Sequence, residues 1–202
     1  MPELHDYTDA VRPAAVHRLH FIWFAVWALL VTIPASILQL TTHRFRPTAK
    51  NFKRWATWWG GTILRGCGIR VEVDDQAKLD PDKPYIFVSN HQNSLDILAL
   101  AAALPYPFGF IAKAELERVP FLGFAIRNSA SVLINRSDPR SSLESIRLAG
   151  ERIRGGNSVQ VFAEGSRSYA ATVAPFKKGA FLLAVEAGVP LVPVAIVDAY
   201  RL

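Results

Sequence analysis

Cysteine occurs once, at Cys67, so no internal disulfide framework can brace this chain and no thiolate cluster can hold a structural zinc. Acidic side chains are missing from residues 41–70, which carry seven basic ones: Arg44, Arg46, Lys50, Lys53, Arg54, Arg65 and Arg70. The 202-residue chain has a formal charge of +6, yet outside that stretch 16 basic residues face 17 acidic ones. A nucleic-acid-binding domain would spread its excess over a face of the fold and add a base-reading element, and no such pattern is present. Asp, Glu, Lys and Arg are all absent from Leu19 to Thr42. Histidine occurs after residue 43 only at His91. There is no G-x-S-x-G string, no internal repeat and no low-complexity tract. The first of these removes the nucleophile elbow of the serine hydrolases. The isolation of His91 from other ligand-type residues argues against a metal site, so none is expected.

What is present begins with twenty mostly apolar residues, Phe21–Leu40. As a helix they measure about 30 Å, the thickness of a bilayer hydrocarbon core. Pro34 lies within them, so the segment either spans or kinks and re-enters. A signal peptide is the third reading, against which stand the acidic leader (Glu3, Asp6, Asp9) and the following TTHRFRP, which is not a small-residue cleavage site. All five tryptophans fall at 23, 27, 55, 58 and 59, close to the basic run. Residues Lys50–Leu64 are expected to form an interfacial amphipathic helix, with Phe52, Trp55, Trp59 and Ile63 at near-helical spacing toward lipid. The competing reading is a hydrophobic helix packed on the domain.

Residues 70–202 alternate. Ile69–Val73 and Tyr85–Ser89 read as strands, Ser94–Leu104 as a helix capped by Ser94 or Asn93, and Phe108–Ala112 as a strand. Val119–Asn128 is a short helix, Ser131–Ile134 a strand, and Asp138–Arg154 a helix. Ser158–Phe162, Lys178–Ala187 and Leu191–Val197 complete the series as strand, helix and strand, with Pro193 favouring an edge. The fold class expected is α/β, a mostly parallel or mixed central sheet flanked by helices, with an N-terminal membrane-attached helical pair. The domains are a polar leader over 1–18, a membrane-embedded or interfacial helical pair over 19–66, and the α/β domain over 67–202.

In such sheets chemistry gathers where strands end. His91 leaves a strand five residues before Asp96, so the carboxylate can reach one imidazole nitrogen and leave the other as a proton acceptor. Spacing alone leaves two readings, a surface histidine beside a helix-capping aspartate, or a base acting on a hydroxyl of the substrate.

Here a resemblance enters. NHQNSLD at Asn90–Asp96 resembles the NHxxxxD signature of the glycerolipid acyltransferases, above all the 1-acylglycerol-3-phosphate acyltransferases. Three blocks follow in that family's order: SVLINR at Ser131–Arg136, FAEGSRS at Phe162–Ser168, similar to FPEGTRS, and VPLVPV at Val189–Val194. Lys113 in IAKAEL matches the stretch between the first two blocks. The departures are Ala130 for Gly, Ala163 for Pro and Ser166 for Thr. The resemblance implies further strands and helix after the Val-Pro strand, so a sheet lacking its C-terminal elements is expected.

The resemblance implies a membrane-bound enzyme moving a fatty acyl group from an acyl thioester to the 2-hydroxyl of lysophosphatidic acid. His91 would be the base and Asp96 its partner. Lys113, Arg136 and Arg167 would face the acceptor's phosphate, and Glu164, Gly165 and Ser166 would contribute to acceptor binding, with the Gly165 and Ser166 amides also available to an oxyanion. Lys177 and Lys178 are near enough in sequence to help hold a donor phosphate, though they read first as a solvated helix start. No cofactor is expected beyond the donor, acyl-CoA or acyl carrier protein. The expected partners are membrane lipids, not nucleic acid, and the expected place is the cytoplasmic face of the cell's inner membrane. Acylation of another lysolipid, such as a lyso-ornithine lipid, or of glycerol-3-phosphate, and a non-catalytic membrane adaptor, are the alternatives.

Overall fold

The computed structural model describes residues 15–45, 49–75, 77–119, 122–127, 129–134 and 139–202. Two long helices come first, α1 (Ala15–Phe45) and α2 (Ala49–Gly66). They are followed by β1 (Ile86–Ser89), α3 (Asp96–Ala103), β2 (Gly109–Lys113) and α4 (Leu122–Arg127). After these come β3 (Val132–Ile134), α5 (Pro139–Arg154), β4 (Val159–Phe162), α6 (Gly179–Ala187) and β5 (Leu191–Val194). The five strands form one sheet in the order β3-β2-β4-β1-β5, and every pairing is parallel. Pro193 sits on the edge strand β5, where one side of the ladder is open and a missing N–H is tolerated.

Alternation along β1 explains the layering. Ile86 and Val88 point to one face and join Ala149 and Ile153 of α5 with Ala180 and Leu183 of α6. Tyr85 and Phe87 point to the other and pack with Leu100 of α3, Tyr106 and Phe108. Ile86, Phe87, Ile153 and Val159 are fully buried, and each such side chain contributes about 1.5–3 kcal/mol relative to exposure. α3 then turns its far side, through Leu98, to Ile63 and Leu64 of α2, and α2 packs on Val31 of α1. The molecule is thus a stack: α5 and α6, the sheet, α3, α2, α1.

Two expectations are corrected by this stack. The stripe of α2 expected to face lipid faces α1 instead: Trp55 Nε1 donates to Thr42 Oγ1 at 2.8 Å, Trp59 Nε1 to Thr32 Oγ1 at 2.9 Å, and Ile63 is 1% exposed. From the other side Trp23 and Trp27 donate to the carbonyls of Gly66 and Thr62. Four of the five tryptophans therefore fasten the two helices together. Most of the apolar surface left open on this pair belongs to α1, which runs unbroken through Pro34 and exposes Leu19, Phe21, Leu29, Leu30, Ile37 and Leu40. The second correction concerns Ile69–Val73, which has strand composition but forms no strand. The chain leaves α2 through a turn at Cys67–Gly68, on the side of α3 away from the sheet, so no strand edge is within reach.

Candidate active site

The strand order creates the site. From β1 the chain crosses through α3 to β2, and from β4 it crosses through α6 to β5, so connections leave the adjacent strands β1 and β4 in opposite directions. A crevice opens between the carboxyl ends of such a strand pair. His91 follows β1 and Glu164 follows β4, which puts both at that crevice.

His91 Nδ1 lies 2.8 Å from Asp96 Oδ2. The same oxygen accepts the Gln92 and Asn93 N–H groups at 2.7 and 2.9 Å. Asp96 is fully buried at the first residue of α3, where a carboxylate also meets the positive end of the helix dipole. An ionised carboxylate only accepts, so the Nδ1 proton points at Asp96 and Nε2 is left as an acceptor. The ring stacks on Phe162, with centroids 3.8 Å apart and planes 15° from parallel, so packing fixes its orientation as well. The expected cap differs: α3 starts at Asp96, and Ser94 instead accepts a hydrogen bond from Arg167.

Glu164 is 3% exposed, and its carboxylate is a clamp. Oε1 accepts the His91 N–H at 2.7 Å and Oε2 accepts the Ala174 N–H at 3.0 Å. The Ser168 N–H donates to the His91 carbonyl at 2.9 Å and the Tyr169 N–H to that of Gln92. The loops after β1 and β4 are thereby laced together. Glu164, expected to contribute to acceptor binding, here accepts one backbone N–H at each oxygen and through the His91 N–H ties the loop after β4 to the loop after β1. Gly165 adopts φ +76°, and a side chain there would meet Lys177 Nζ at 2.8 Å. Its N–H, one of the amides expected to be available to an oxyanion, donates to the Phe162 carbonyl at 3.1 Å. Ser166 is exposed, and its N–H has no partner among the described residues.

Of the expected cations, Arg167 is exposed beside the crevice, held to Ser94 and over the Tyr169 ring at 5.3 Å. Lys113 ends β2 at the same edge of the sheet, exposed and not joined to His91 by any contact among the described residues. Arg136 lies outside the described residues. Two placements went beyond the sequence reading. Phe162, known there as a strand end and the first residue of the FAEGSRS block, stacks on His91, and Lys177, exposed at the helix start, folds over Gly165 while its N–H donates to the Ala163 carbonyl at 2.8 Å. The signal for Lys177 was the glycine itself, since only a residue without Cβ lets a lysine stem approach that closely.

The fold and site are those of a parallel α/β sheet that holds a histidine–aspartate pair at its switch point, with the Arg167 guanidinium beside it. The chain belongs to the acyltransferase family: the profile described as Acyltransferase matches residues 70–197. It is 33% identical over 189 residues to a 1-acyl-sn-glycerol-3-phosphate acyltransferase of Chlamydomonas reinhardtii, covering 89% of this chain and 55% of that protein. It is 32% identical over 188 residues to the Pseudomonas aeruginosa protein of the same description, covering 93% and 71%. The crystal structure of the 1-acyl-sn-glycerophosphate (LPA) acyltransferase of Thermotoga maritima superposes with a TM-score of 0.66 at 26% identity, covering 88% of this chain and 77% of that one. The chain spans about half the length of the first curated relatives it matches, 55% and 53%.

Proposed function

We propose that the protein transfers a fatty acyl group from an acyl thioester, acyl-CoA or acyl carrier protein, to the 2-hydroxyl of lysophosphatidic acid, forming phosphatidic acid. The observation that carries this reading is the buried Asp96 carboxylate holding His91 Nδ1 at 2.8 Å, which leaves Nε2 as the ring's acceptor and so able to serve as a base. His91 Nε2 takes the hydroxyl proton as the oxygen attacks the thioester carbonyl carbon. The tetrahedral intermediate collapses with breakage of the C–S bond, and the imidazolium returns the proton to the departing thiolate. Asp96 stabilises the imidazolium between these steps. Arg167 as a planar fork, with Lys113 and Lys177 as point charges, would meet the acceptor's phosphate. The names of the relatives support this acceptor.

The same reading puts the chain on a membrane by α1. Contacts between α1 and α2 run from Trp23–Gly66 to Thr42–Trp55, and α3 covers the other side of α2. A crossing α1 would drag the charged helix α2 into hydrocarbon along nearly 20 residues, or about 30 Å. The packing therefore favours α1 lying in the plane of one leaflet, its exposed face in the acyl boundary and the domain above it, on the cytoplasmic face of the cell membrane. The test is thiol release by the purified protein given lysophosphatidic acid and each donor type. His91→Ala is expected to lower the rate by about 10²–10⁴ while vesicle binding persists. A near-normal rate in that variant refutes the mechanism.

A further inference from the structure

A groove of about 900 Å³ lies at the opposite end of α3 from His91. α3 begins at Asp96 in the active site, and the groove is reached at Ala102–Pro105, roughly 12 Å further along the helix. One wall is a single stripe of α2, Arg54, Trp58, Gly61 and Arg65, at spacings of four, three and four residues. The other wall is the unpaired segment after α2, whose Ile69, Val71 and Val73 supply apolar surface around Arg70. Arg54, Arg65 and Arg70 have no ion-pair or hydrogen-bond partner among the described residues, and the one carboxylate in the lining is Glu72. Lys53 at the base is already engaged, donating to the Ala101 carbonyl at 2.7 Å and lying 5.5 Å from the Phe108 ring centroid. Gly61 keeps the middle of the groove open: a Cβ there would lie 3.2 Å from the Arg65 guanidinium and 4.0 Å from Ala102 Cβ.

We infer that this groove binds the headgroup phosphate of an anionic membrane phospholipid, as a site separate from the reaction centre. Three guanidinium groups with no internal partner match phosphate oxygens, and the apolar wall suits the glycerol and the first acyl carbons. Height supplies the source of the ligand. This step rests on the in-plane placement of α1 proposed above: α2 then rides about 8–10 Å above α1, which brings the groove to the level of the lipid phosphates. Trp58, 43% exposed and the one tryptophan without a hydrogen bond to α1 or α2 among the described residues, stands at the same level. The groove would hold the domain in a fixed orientation on a negatively charged leaflet, with the β1–β4 crevice at a constant distance from the lipids it would use.

The experiment measures retention of phosphatidylglycerol by the full chain in detergent, by native mass spectrometry, beside flotation with phosphatidylcholine vesicles. Phosphatidylglycerol is neither acceptor nor product of the proposed reaction, so its binding does not report on His91. The wild type and His91→Ala are expected to retain one molecule alike. The triple variant R54Q/R65Q/R70Q is expected to weaken retention on the order of a hundredfold, from about fivefold per cation at an anionic surface. Gly61→Leu obstructs the groove without changing charge and is expected to abolish retention. The variant K83Q/R118Q/R201Q, with equal loss of charge elsewhere, is expected to behave as wild type. Equal weakening by both triple variants, retention unaffected by Gly61→Leu, or displacement of the lipid by inorganic phosphate each overturns the proposal. Flotation without retained phosphatidylglycerol overturns it alone. A wild type that floats with no vesicle overturns the membrane reading and this proposal with it.

Discussion

Replacing Glu164 by glutamine separates a clamp from a substrate contact. In the structure both carboxylate oxygens accept backbone N–H groups, from His91 at 2.7 Å and Ala174 at 3.0 Å, and the side chain is 3% exposed. A glutamine keeps the shape and one acceptor, but its NH₂ must face one of the two N–H donors. One charge-assisted bond is lost, worth about 1.5–3 kcal/mol, and a buried N–H is left without a partner. The apparent melting temperature should fall by roughly 5–10 °C for a domain of this size. The chemical consequence follows from which N–H is released. If the loop after β1 relaxes, His91 moves relative to the acceptor, and a displacement of about 1 Å can cost on the order of 10²-fold in rate. Steady-state thiol release against lysophosphatidic acid is the assay: kcat should drop with the acceptor KM little changed. A raised acceptor KM, with kcat and melting temperature at wild-type values, would show that Glu164 touches the acceptor and that the clamp is incidental.

Gly109→Ala should be severely destabilising, because a Cβ at the start of β2 would lie 2.1 Å from the Ser131 nitrogen and the Ala130 carbonyl carbon. Overpacking against backbone costs about 3 kcal/mol or more, a fall of roughly 6–12 °C in thermal unfolding, and an unchanged midpoint would refute the close β2–β3 approach. Lys53 predicts a pH dependence of stability, since burial pulls its ammonium down from 10.5 to about 8. Below pH 8 the group is protonated in both folded and unfolded chains and the folded state bears the full desolvation cost. Between about 8 and 10.5 the unfolded chain holds more protons, so this residue makes stability rise with pH, by at most about 3 kcal/mol. Thermal unfolding at pH 7 and pH 9.5 should show that rise in the wild type and lose it in Lys53→Met; equal slopes in the two proteins would contradict the burial argument.

Much of the site was legible because its chemistry is local in the chain. Asp96 follows His91 at the fifth position, and the turn between them suffices to bring Nδ1 to Oδ2. The FAEGSRS block likewise placed Glu164, Gly165 and Arg167 after a strand. What local sequence did not carry was the direction each group faces. Glu164 reads as a polar residue available to a ligand until β4 is set beside β1, where its two oxygens meet N–H groups of His91 and Ala174. Lys177 reads as solvated until Gly165 leaves room for it. The α2 stripe failed for the same reason: periodicity reports that Trp55, Trp59 and Ile63 share a face, but not whether lipid or another helix covers it.

Composition and order by themselves determined the parallel α/β character, the concentration of positive charge at residues 41–70, the apolar helix and the histidine–aspartate pair, because each depends on residues close in the chain or on counts that folding does not alter. Only the tertiary structure decided that four tryptophans fasten α1 to α2, that Ile69–Val73 lines a groove instead of a sheet edge, and that His91 and Glu164 meet between β1 and β4. Those outcomes depend on which surfaces meet across the 73 positions separating His91 from Glu164, or the 43 separating Trp23 from Gly66. An apolar face or a carboxylate is satisfied by any suitable partner, and the packing of the whole chain selects which one it finds.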